Sequence, residues 1–346
     1  MENKSLTVIL KSALLVIGIP IVLYFTLLSL LIIIPTFQTH TVYLHRITLT
    51  WFRDLNIPEI FGFLHSQVTP FYIIIADGRP DSYRTLSSGS PNKIHILTFD
   101  YRSYGLSTGA PSEEGLLLDA IAVMEWAMET AGIPPSRIVI FGQSLGTALA
   151  IALARHYILQ ASPQVSFAGM VLVAPFSDVA ALTATYRIGG VVPVLSPLAW
   201  FPPLLKFFQK FLTSTWMSKD RIAEFVGNAE KGEGGGGGGG GSSPYHITFI
   251  HAEDDADIPC SHTDVLTWYA VSATTSSGIS YEEFERERET RKVNLGNAGW
   301  FVEWRTGGSG IIRQEIVKYG LHDKIMSYSV VGMAVVRAFQ SSAPGL

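Results

Sequence analysis

The chain has 346 residues, of which 47% are hydrophobic, and a formal net charge of −4 at pH 7. This length allows one large domain or two small ones. The slightly acidic balance argues against a surface that binds nucleic acid or another polyanion. The single cysteine, Cys260, excludes an intrachain disulfide.

The first predicted element is an uncharged apolar segment near the amino terminus. Residues 12–35 read SALLVIGIPIVLYFTLLSLLIIIP, which is long enough to cross a bilayer. The segment exceeds the apolar region of a cleaved signal peptide, and no small-residue cleavage site follows it. We therefore predict an amino-terminal membrane anchor over residues 1–36. The alternative is a buried core helix, which the length and the lack of a polar face disfavour.

Charges on the two sides of this segment give a weak indication of topology. Lys4 and Lys11 precede it, whereas the first basic residues after it, Arg46 and Arg53, lie well beyond its end. The positive-inside rule then favours a cytosolic amino terminus and a lumenal or extracellular main domain. We expect a single-pass protein of an endomembrane such as the endoplasmic reticulum.

The rest of the chain divides into a short stalk and one large domain. Residues 37–70 are rich in aromatic side chains, which predicts a stalk near the membrane interface. Strands and helices alternate over residues 71–346, which predicts an α/β domain with a mostly parallel sheet covered by helices. The predicted strands are residues 71–76, 94–99, 137–142, 169–174, 246–251 and 300–305.

The most informative motif is G-x-S-x-G at residues 142–146. It follows an apolar strand and precedes a strong helix former, which is the setting of a nucleophile elbow. The crowded backbone at Ser144 needs small neighbours, and Gly142 and Gly146 supply them. We predict that Ser144 is a nucleophile and that the backbone N–H of Leu145 donates to an oxyanion. The alternative is a tight turn in which Ser144 only caps the helix.

Residues 178–232 depart from the alternation of strands and helices. They are rich in proline and aromatic residues and lie between two sheet strands. We predict a helical lid, whose apolar underside would suit acyl chains; ordinary helix packing is the alternative. Residues 233–243 hold an uninterrupted glycine run, which predicts a flexible loop. This loop is not a phosphate loop, because no Gly-Lys-Ser/Thr follows it.

A nucleophilic serine needs a histidine base and an acid that orients the histidine. In proteins with a nucleophile elbow, these three residues follow along the chain in the order Ser, acid, His. The predicted strand 246–251 leads into four competing acids: Glu253, Asp254, Asp255 and Asp257. We prefer Asp255, because the D-x-x-hydrophobic-Pro spacing places it on the turn before the next helix. Asp254 and Asp257 are the alternatives, as is a merely solvated acidic loop.

The predicted base is His322, which follows the last strand and precedes the apolar helix at residues 329–339. His262 lies too near the acidic loop and is expected to begin the next helix. Four further histidines are predicted to be structural: His45, His65, His95 and His156.

The second donor of an oxyanion hole is expected in the loop after the predicted strand 71–76. That loop reads Ala-Asp-Gly-Arg-Pro. Asp77 would bring an unfavourable negative charge, and Pro80 has no N–H. Gly78 or Arg79 is therefore predicted to supply the second N–H.

Five stretches carry a resemblance to a known family: residues 97–115, 141–150, 172–179, 249–259 and 319–326. In their order and spacing they resemble the membrane-anchored α/β-hydrolases of eukaryotes that include monoacylglycerol and lysophosphatidylserine lipases, especially fungal relatives. The resemblance implies an α/β-hydrolase fold with Ser144 as nucleophile, Asp255 as acid and His322 as base. The chain departs from the family at residues 76–80, where many members carry His-Gly, and at residues 70–73, which we interpret as the site of a deletion.

These residues together predict a membrane-anchored serine hydrolase that cleaves carboxylic esters of lipids. The expected partners are a membrane and a lipid or other ester substrate, with no nucleic acid. No metal or organic cofactor is expected, because triad chemistry needs none. One alternative is a catalytically impaired pseudoenzyme or interaction protein in the membrane, which keeps the triad but lacks a working oxyanion hole. Another is a tethered esterase of soluble substrates.

Overall fold

A computed structural model describes residues 14–43, 80–88, 93–104, 107–160, 165–188, 190–193, 196–231, 243–307 and 310–342. Most of the predicted stalk, the predicted strand 71–76, Gly78, Arg79 and most of the glycine-rich loop lie outside the described residues.

A six-stranded sheet forms the centre of the described domain. Its strands are β1 (Val139–Gln143), β2 (Gly169–Val173), β5 (Tyr245–Ala252), β6 (Val293–Asn294), β7 (Trp300–Arg305) and β8 (Gly310–Val317), in the order β1-β2-β5-β8-β7-β6. The first three pairs in this order are parallel, and the last two are antiparallel. A separate two-stranded hairpin consists of β3 (Arg187–Ile188) and β4 (Val192–Pro193). Four predicted strands therefore have observed counterparts, at β1, β2, β5 and β7.

Helices pack against both faces of this sheet. The α-helices of the described residues are α1 (Ile19–Ile33), α2 (Pro35–Tyr43), α3 (Pro80–Ser87), α4 (Glu113–Glu125), α5 (Leu145–Gln160), α6 (Val179–Thr185), α7 (Pro202–Gln209), α8 (Ser218–Lys231), α9 (Ser261–Ser272), α10 (Tyr281–Arg291), α11 (Leu321–Lys324) and α12 (Ser329–Ser342).

Successive residues of β2 point to opposite faces of the sheet and enter different cores. Met170 and Leu172 belong to the larger core, which includes α5 and α8. Val171 and Val173 belong to the smaller core, which includes α12. Because β2 is buried along its whole length, its sequence is a continuous apolar run rather than an alternating one.

Strand β8 was not predicted from the sequence. A strand was predicted at residues 94–99, and this prediction was wrong. Strand β8 contains Arg313, Gln314 and Glu315 in succession, so it does not read as an apolar run; Arg313 instead pairs with Glu303 of β7 at 3.1 Å. Residues 94–99 are irregular. A strand needs a hydrogen-bonded neighbour, and among the described residues β1 pairs only with β2.

Helix α1 belongs to the one described segment that is long and apolar enough to cross a membrane. This segment, Leu15–Ile33, is 19 residues long, reaches a mean hydropathy of 2.7 and is almost entirely unburied. It coincides with the predicted anchor and is a candidate transmembrane span.

The predicted lid region contains elements of two kinds. Helix α8 packs against α5 and buries Ile222 and Val226 completely, so it is part of the helical layer that covers the sheet. The 3₁₀ turn Ser196–Trp200 and α7 lie before it. These carry several exposed aromatic side chains, including Trp200 and Phe207.

Candidate active site

Ser144 stands on a sharp turn between β1 and α5. Its φ of 51° is in the left-handed region, which is strained for a residue with a side chain. The turn is held because the Ser144 N–H donates to the Val173 carbonyl at 3.0 Å. A Cβ at Gly142 would collide with the carbonyl group of Gly146, so this position requires glycine. The strained serine between a strand and a helix is the geometry of a nucleophile elbow.

Asp255 and His322 meet near the carboxyl ends of two neighbouring strands. Asp255 lies in the loop after β5, and His322 lies on α11, shortly after β8. His322 Nδ1 donates to Asp255 Oδ2 at 2.8 Å. The other carboxylate oxygen of Asp255 accepts from the backbone N–H groups of Asp257 at 3.0 Å and Ile258 at 2.9 Å. The buried carboxylate therefore holds the imidazole in one orientation.

The competing acids of the same loop have other partners. Asp254 Oδ1 accepts from the N–H groups of Gly320 and Leu321, both at 2.8 Å, and so ties the acidic loop to the histidine loop. Asp257 Oδ1 accepts from the Gly190 N–H at 3.1 Å. Of the alternatives left open by the sequence, only Asp255 contacts His322 through its side chain.

A neighbour of the serine links the nucleophile turn to the histidine loop. Gln143 Nε2 donates to the carbonyl of His322 at 3.0 Å. No hydrogen bond joins Ser144 Oγ to His322 Nε2 in the structure. Such bonds are often long or poorly aligned without substrate and tighten in the substrate complex.

Leu145 is the first residue of α5, so its N–H belongs to the first-turn amides that lack an intrahelical acceptor. The partial positive charge of the helix amino terminus favours a negative oxygen at this position. The other predicted oxyanion donors, Gly78 and Arg79, lie outside the described residues.

Local charges set the protonation of the acid–base pair. Burial alone raises the pKa of Asp255, but hydrogen bonds from His251 and His322 reverse this effect and hold the pKa well below its usual range. Burial alone lowers the pKa of His322, but the hydrogen bond and charge of Asp255, together with the charge of Asp323, give a net pKa above the ordinary value. Asp255 is therefore ionised at neutral pH, which suits it to stabilise a protonated His322.

The raised pKa of His322 predicts the pH dependence of any ester hydrolysis in which this residue is the general base. A base must be neutral, so kcat/KM should fall as the pH drops through the His322 pKa, with a midpoint above that of a free imidazole. A pH profile on a short-chain ester measures this midpoint. Asp323→Asn should lower it without abolishing turnover, because the charge of Asp323 raises the pKa. A wild-type midpoint at or below the free imidazole value would contradict the assignment.

The sequence analysis missed His251, a second histidine on the same carboxylate. It lies on β5, is completely buried, and its Nε2 is 3.2 Å from Asp255 Oδ2 and 2.9 Å from the Ile258 carbonyl. Both partners are acceptors, so Nε2 carries the proton, and Nδ1 accepts from Thr263 Oγ1 at 2.6 Å. The only sequence signal was a histidine at the strand end, four residues before the acid.

We expect His251→Leu to lower kcat about 10-fold and the free energy of unfolding by about 1–3 kcal/mol, because it leaves Asp255 with one histidine donor fewer. Thr263→Val removes only the hydroxyl on the far side of His251 and should have the smaller effect on kcat. Steady-state kinetics and urea unfolding of both variants measure these changes. An unchanged kcat in His251→Leu together with a lowered free energy of unfolding would show that His251 acts on folding alone.

The nucleophile turn, the buried acid–histidine pair and the mostly parallel sheet define an α/β-hydrolase. A sequence profile of the Alpha/beta hydrolase family matches residues 64–277, which is more than half of the chain. The chain belongs to this family, and the predicted fold class is confirmed.

The chain is similar to several curated proteins. It is 27% identical over 207 residues to "Lysophosphatidylserine lipase ABHD12" of Gallus gallus. The aligned region covers 60% of this chain and 46% of that protein. It is 32% identical over 215 residues to "Protein ABHD12B" of Homo sapiens, which covers 61% and 49%. The chain thus spans about half the length of these two relatives. The predicted resemblance to α/β-hydrolases of the lysophosphatidylserine lipase type is confirmed.

A solved structure of an alpha-beta hydrolase from Vibrio vulnificus is also similar. It shares 18% sequence identity, with coverage of 76% of this chain and 68% of that chain, at a TM-score of 0.44.

Proposed function

We propose that this chain is a membrane-anchored serine hydrolase that cleaves carboxylic esters of lipids. The observation that carries the proposal is the 2.8 Å hydrogen bond between His322 Nδ1 and the buried Asp255 carboxylate, close to the strained turn of Ser144. A lipid ester is favoured as substrate because relatives bear the name lysophosphatidylserine lipase.

In the first half-reaction Ser144 Oγ attacks the ester carbonyl carbon while His322 Nε2 takes the seryl proton. The oxyanion of the tetrahedral intermediate accepts from the Leu145 N–H and from a second donor, Gly78 or Arg79. The intermediate collapses, the C–O bond to the alcohol breaks, and His322 returns the proton to the departing alcohol.

In the second half-reaction water attacks the acyl group on Ser144, and His322 takes a proton from that water. The second intermediate collapses to release the carboxylic acid, and the proton returns to Ser144 Oγ. Asp255 stays ionised throughout, orients His322 and stabilises its charged form.

Membrane anchoring by α1 would keep this site close to lipid. The length and hydropathy of Leu15–Ile33 support a single span. The charges near the segment favour a cytosolic amino terminus and a lumenal domain, as in a protein of the endoplasmic reticulum. The exposed aromatic part of the lid, before α8, is suited to acyl chains.

A second candidate function is a pseudoenzyme in the membrane. It is favoured by Asp77 in the loop expected to form the oxyanion hole, because a negative charge there would oppose the developing oxyanion. Turnover of any ester that depends on Ser144 would exclude it.

The test is hydrolysis of a panel of esters by the full chain in detergent micelles, with acyl chains from two to eighteen carbons and with glycerol or lysophospholipid head groups. The proposal expects kcat/KM to rise with chain length. A flat or falling dependence would favour an esterase of soluble substrates, and no turnover of any ester by folded protein would favour the pseudoenzyme.

A further inference from the structure

Helix α1 packs against part of the lid. We call residues 196–211 the lid segment; it comprises the 3₁₀ turn Ser196–Trp200, α7 and the residues just after it. Leu28 of α1 is completely buried in a small cluster with Leu198 and Leu205 of the lid segment. Tyr24 and Leu31 of α1, and Leu204 and Phe208 of α7, pack around this cluster. One side of helix α1 thus packs against the lid segment.

Helix α2 holds the end of the lid segment through hydrogen bonds. The side chain of Gln38 is buried; its Nε2 donates to the carbonyl of Phe211 at 2.8 Å, and its Oε1 accepts from the N–H and the hydroxyl of Thr213, both at 2.7 Å. Farther along, the hydroxyls of Tyr43 and Ser214 share a hydrogen bond of 2.9 Å. The two helices and the lid segment are therefore joined at separate apolar and polar contacts.

The position of the apolar contact along α1 sets its depth in a bilayer. Leu28 lies five residues before Ile33, where α1 ends, which is about 7.5 Å at the rise of an α-helix. Tyr24 lies about 13–14 Å from that end by the same measure. Half of a hydrocarbon core is about 15 Å thick. When α1 spans the membrane, its contacts with the lid segment fall inside the leaflet nearer Ile33.

The outer side of the lid segment is apolar as well. Trp200 is 85% exposed and Phe201 is 62% exposed, and Phe207 and Phe211 are also exposed, with ring centroids 5.2 Å apart. Such a patch is unfavourable in water, whereas aromatic rings are favoured at the membrane interface. Exposed Lys206 and Lys210 flank the rings; their long stems can lie along apolar surface while their charges reach the head groups.

We propose that the lid segment is embedded in the lipid leaflet beside α1, with Trp200, Phe201, Phe207 and Phe211 in contact with lipid. The partner is the bilayer itself, because the same segment packs on the candidate span at hydrocarbon depth. The inference rests on the proposed anchoring by α1 and does not depend on ester hydrolysis. The hairpin of β3 and β4, just before the lid segment, contacts the acid loop of the site. The Gly190 N–H of this hairpin donates to Asp257, two residues from Asp255.

The embedded lid segment would therefore be linked to the acid loop of the site through this hairpin. A lipid substrate could meet the lid segment without first leaving the bilayer.

The test places an environment-sensitive fluorophore (NBD) on the lid segment of the full chain. Cys260→Ser removes the native thiol, and Trp200→Cys supplies the labelling position. Leu295→Cys is the matched control, because Leu295 is an exposed apolar residue directly after the short edge strand β6. Both proteins are reconstituted in phosphatidylcholine vesicles with or without nitroxide-labelled lipids, and flotation confirms their incorporation.

We expect NBD at position 200 to show blue-shifted emission and at least about three-fold stronger quenching by nitroxide lipids than NBD at position 295. Equal, weak quenching at both positions in floated protein would overturn the inference while leaving anchoring intact. A blue shift that nitroxide lipids do not quench, and that is lost when the protein is diluted in lipid, would show that a second copy covers the patch and would also overturn it. A chain that does not float would overturn the anchoring together with the inference, whatever its activity on soluble esters.

Discussion

Replacement of Ser144 by Ala is expected to lower kcat on every ester that the chain hydrolyses by about 10³-fold or more. The substitution removes the oxygen atom that is proposed to form the acyl intermediate. The Alpha/beta hydrolase family match and the strained elbow at φ 51° both support this serine as the reacting group. Steady-state kinetics with a chromogenic ester measures the effect.

The matched control for this prediction is Ser166→Ala. Ser166 is remote from the elbow, and its hydroxyl donates to the Pro244 carbonyl at 2.7 Å. This variant should keep kcat within about two-fold, since a single exposed hydrogen bond contributes little to stability. If Ser144→Ala and Ser166→Ala had similar kcat values, hydrolysis would have to proceed through another residue.

Asp255→Asn is expected to lower kcat by about 10³–10⁴-fold. The amide can still accept from the backbone N–H groups of Asp257 and Ile258, so the loop should keep its shape. Its NH₂ group, however, would face the donors of His322 and His251, which now meet at Oδ2. Loss of the charge should also lower the pKa of His322, because Asp255 is the main group that raises it.

Asp254→Asn and Asp257→Asn separate the acids that the sequence left as alternatives. Asp254 holds the backbone of Gly320 and Leu321, and Asp257 holds the backbone of Gly190. We expect both variants to lose less than about 30-fold in kcat, since the side chain that hydrogen-bonds to His322 is that of Asp255. A larger loss in Asp254→Asn or Asp257→Asn than in Asp255→Asn would assign the catalytic acid elsewhere.

The sequence predicted those strands that can be recognised from their own residues, without knowledge of their neighbours in the sheet. Strand β2 is buried from Gly169 to Val173 and has a continuous apolar sequence, so pattern alone located it. Strand β8 could not be found in this way, because its charged residues Arg313 and Glu315 interrupt the apolar pattern. They pair with each other and with the distant residues Glu303 and Arg337. The strand predicted at residues 94–99 failed for a related reason, since strand formation depends on a neighbouring strand as well as on the sequence of the segment.

In the candidate site, too, features formed by consecutive residues were predictable, whereas contacts between distant residues were not. The elbow at Ser144 was predictable because a strand, two glycines and a helix former are consecutive in the sequence. The preference for Asp255 over its neighbours rested on spacing and on the family resemblance. Its pairing with His322 is visible only where β5 and β8 lie side by side. His251 was missed because its role depends on where its ring points.

Active-site labelling of the full chain in detergent with a fluorophosphonate probe, followed by peptide mass spectrometry, tests the proposed serine hydrolase most directly. Such a probe reacts with a serine whose proton can be taken by a neighbouring base. The account predicts a stoichiometric adduct on the peptide that contains Ser144, absent in Ser144→Ala and strongly slowed in Asp255→Asn. Folded wild-type protein that stays unlabelled, or that is labelled on another residue, would contradict it.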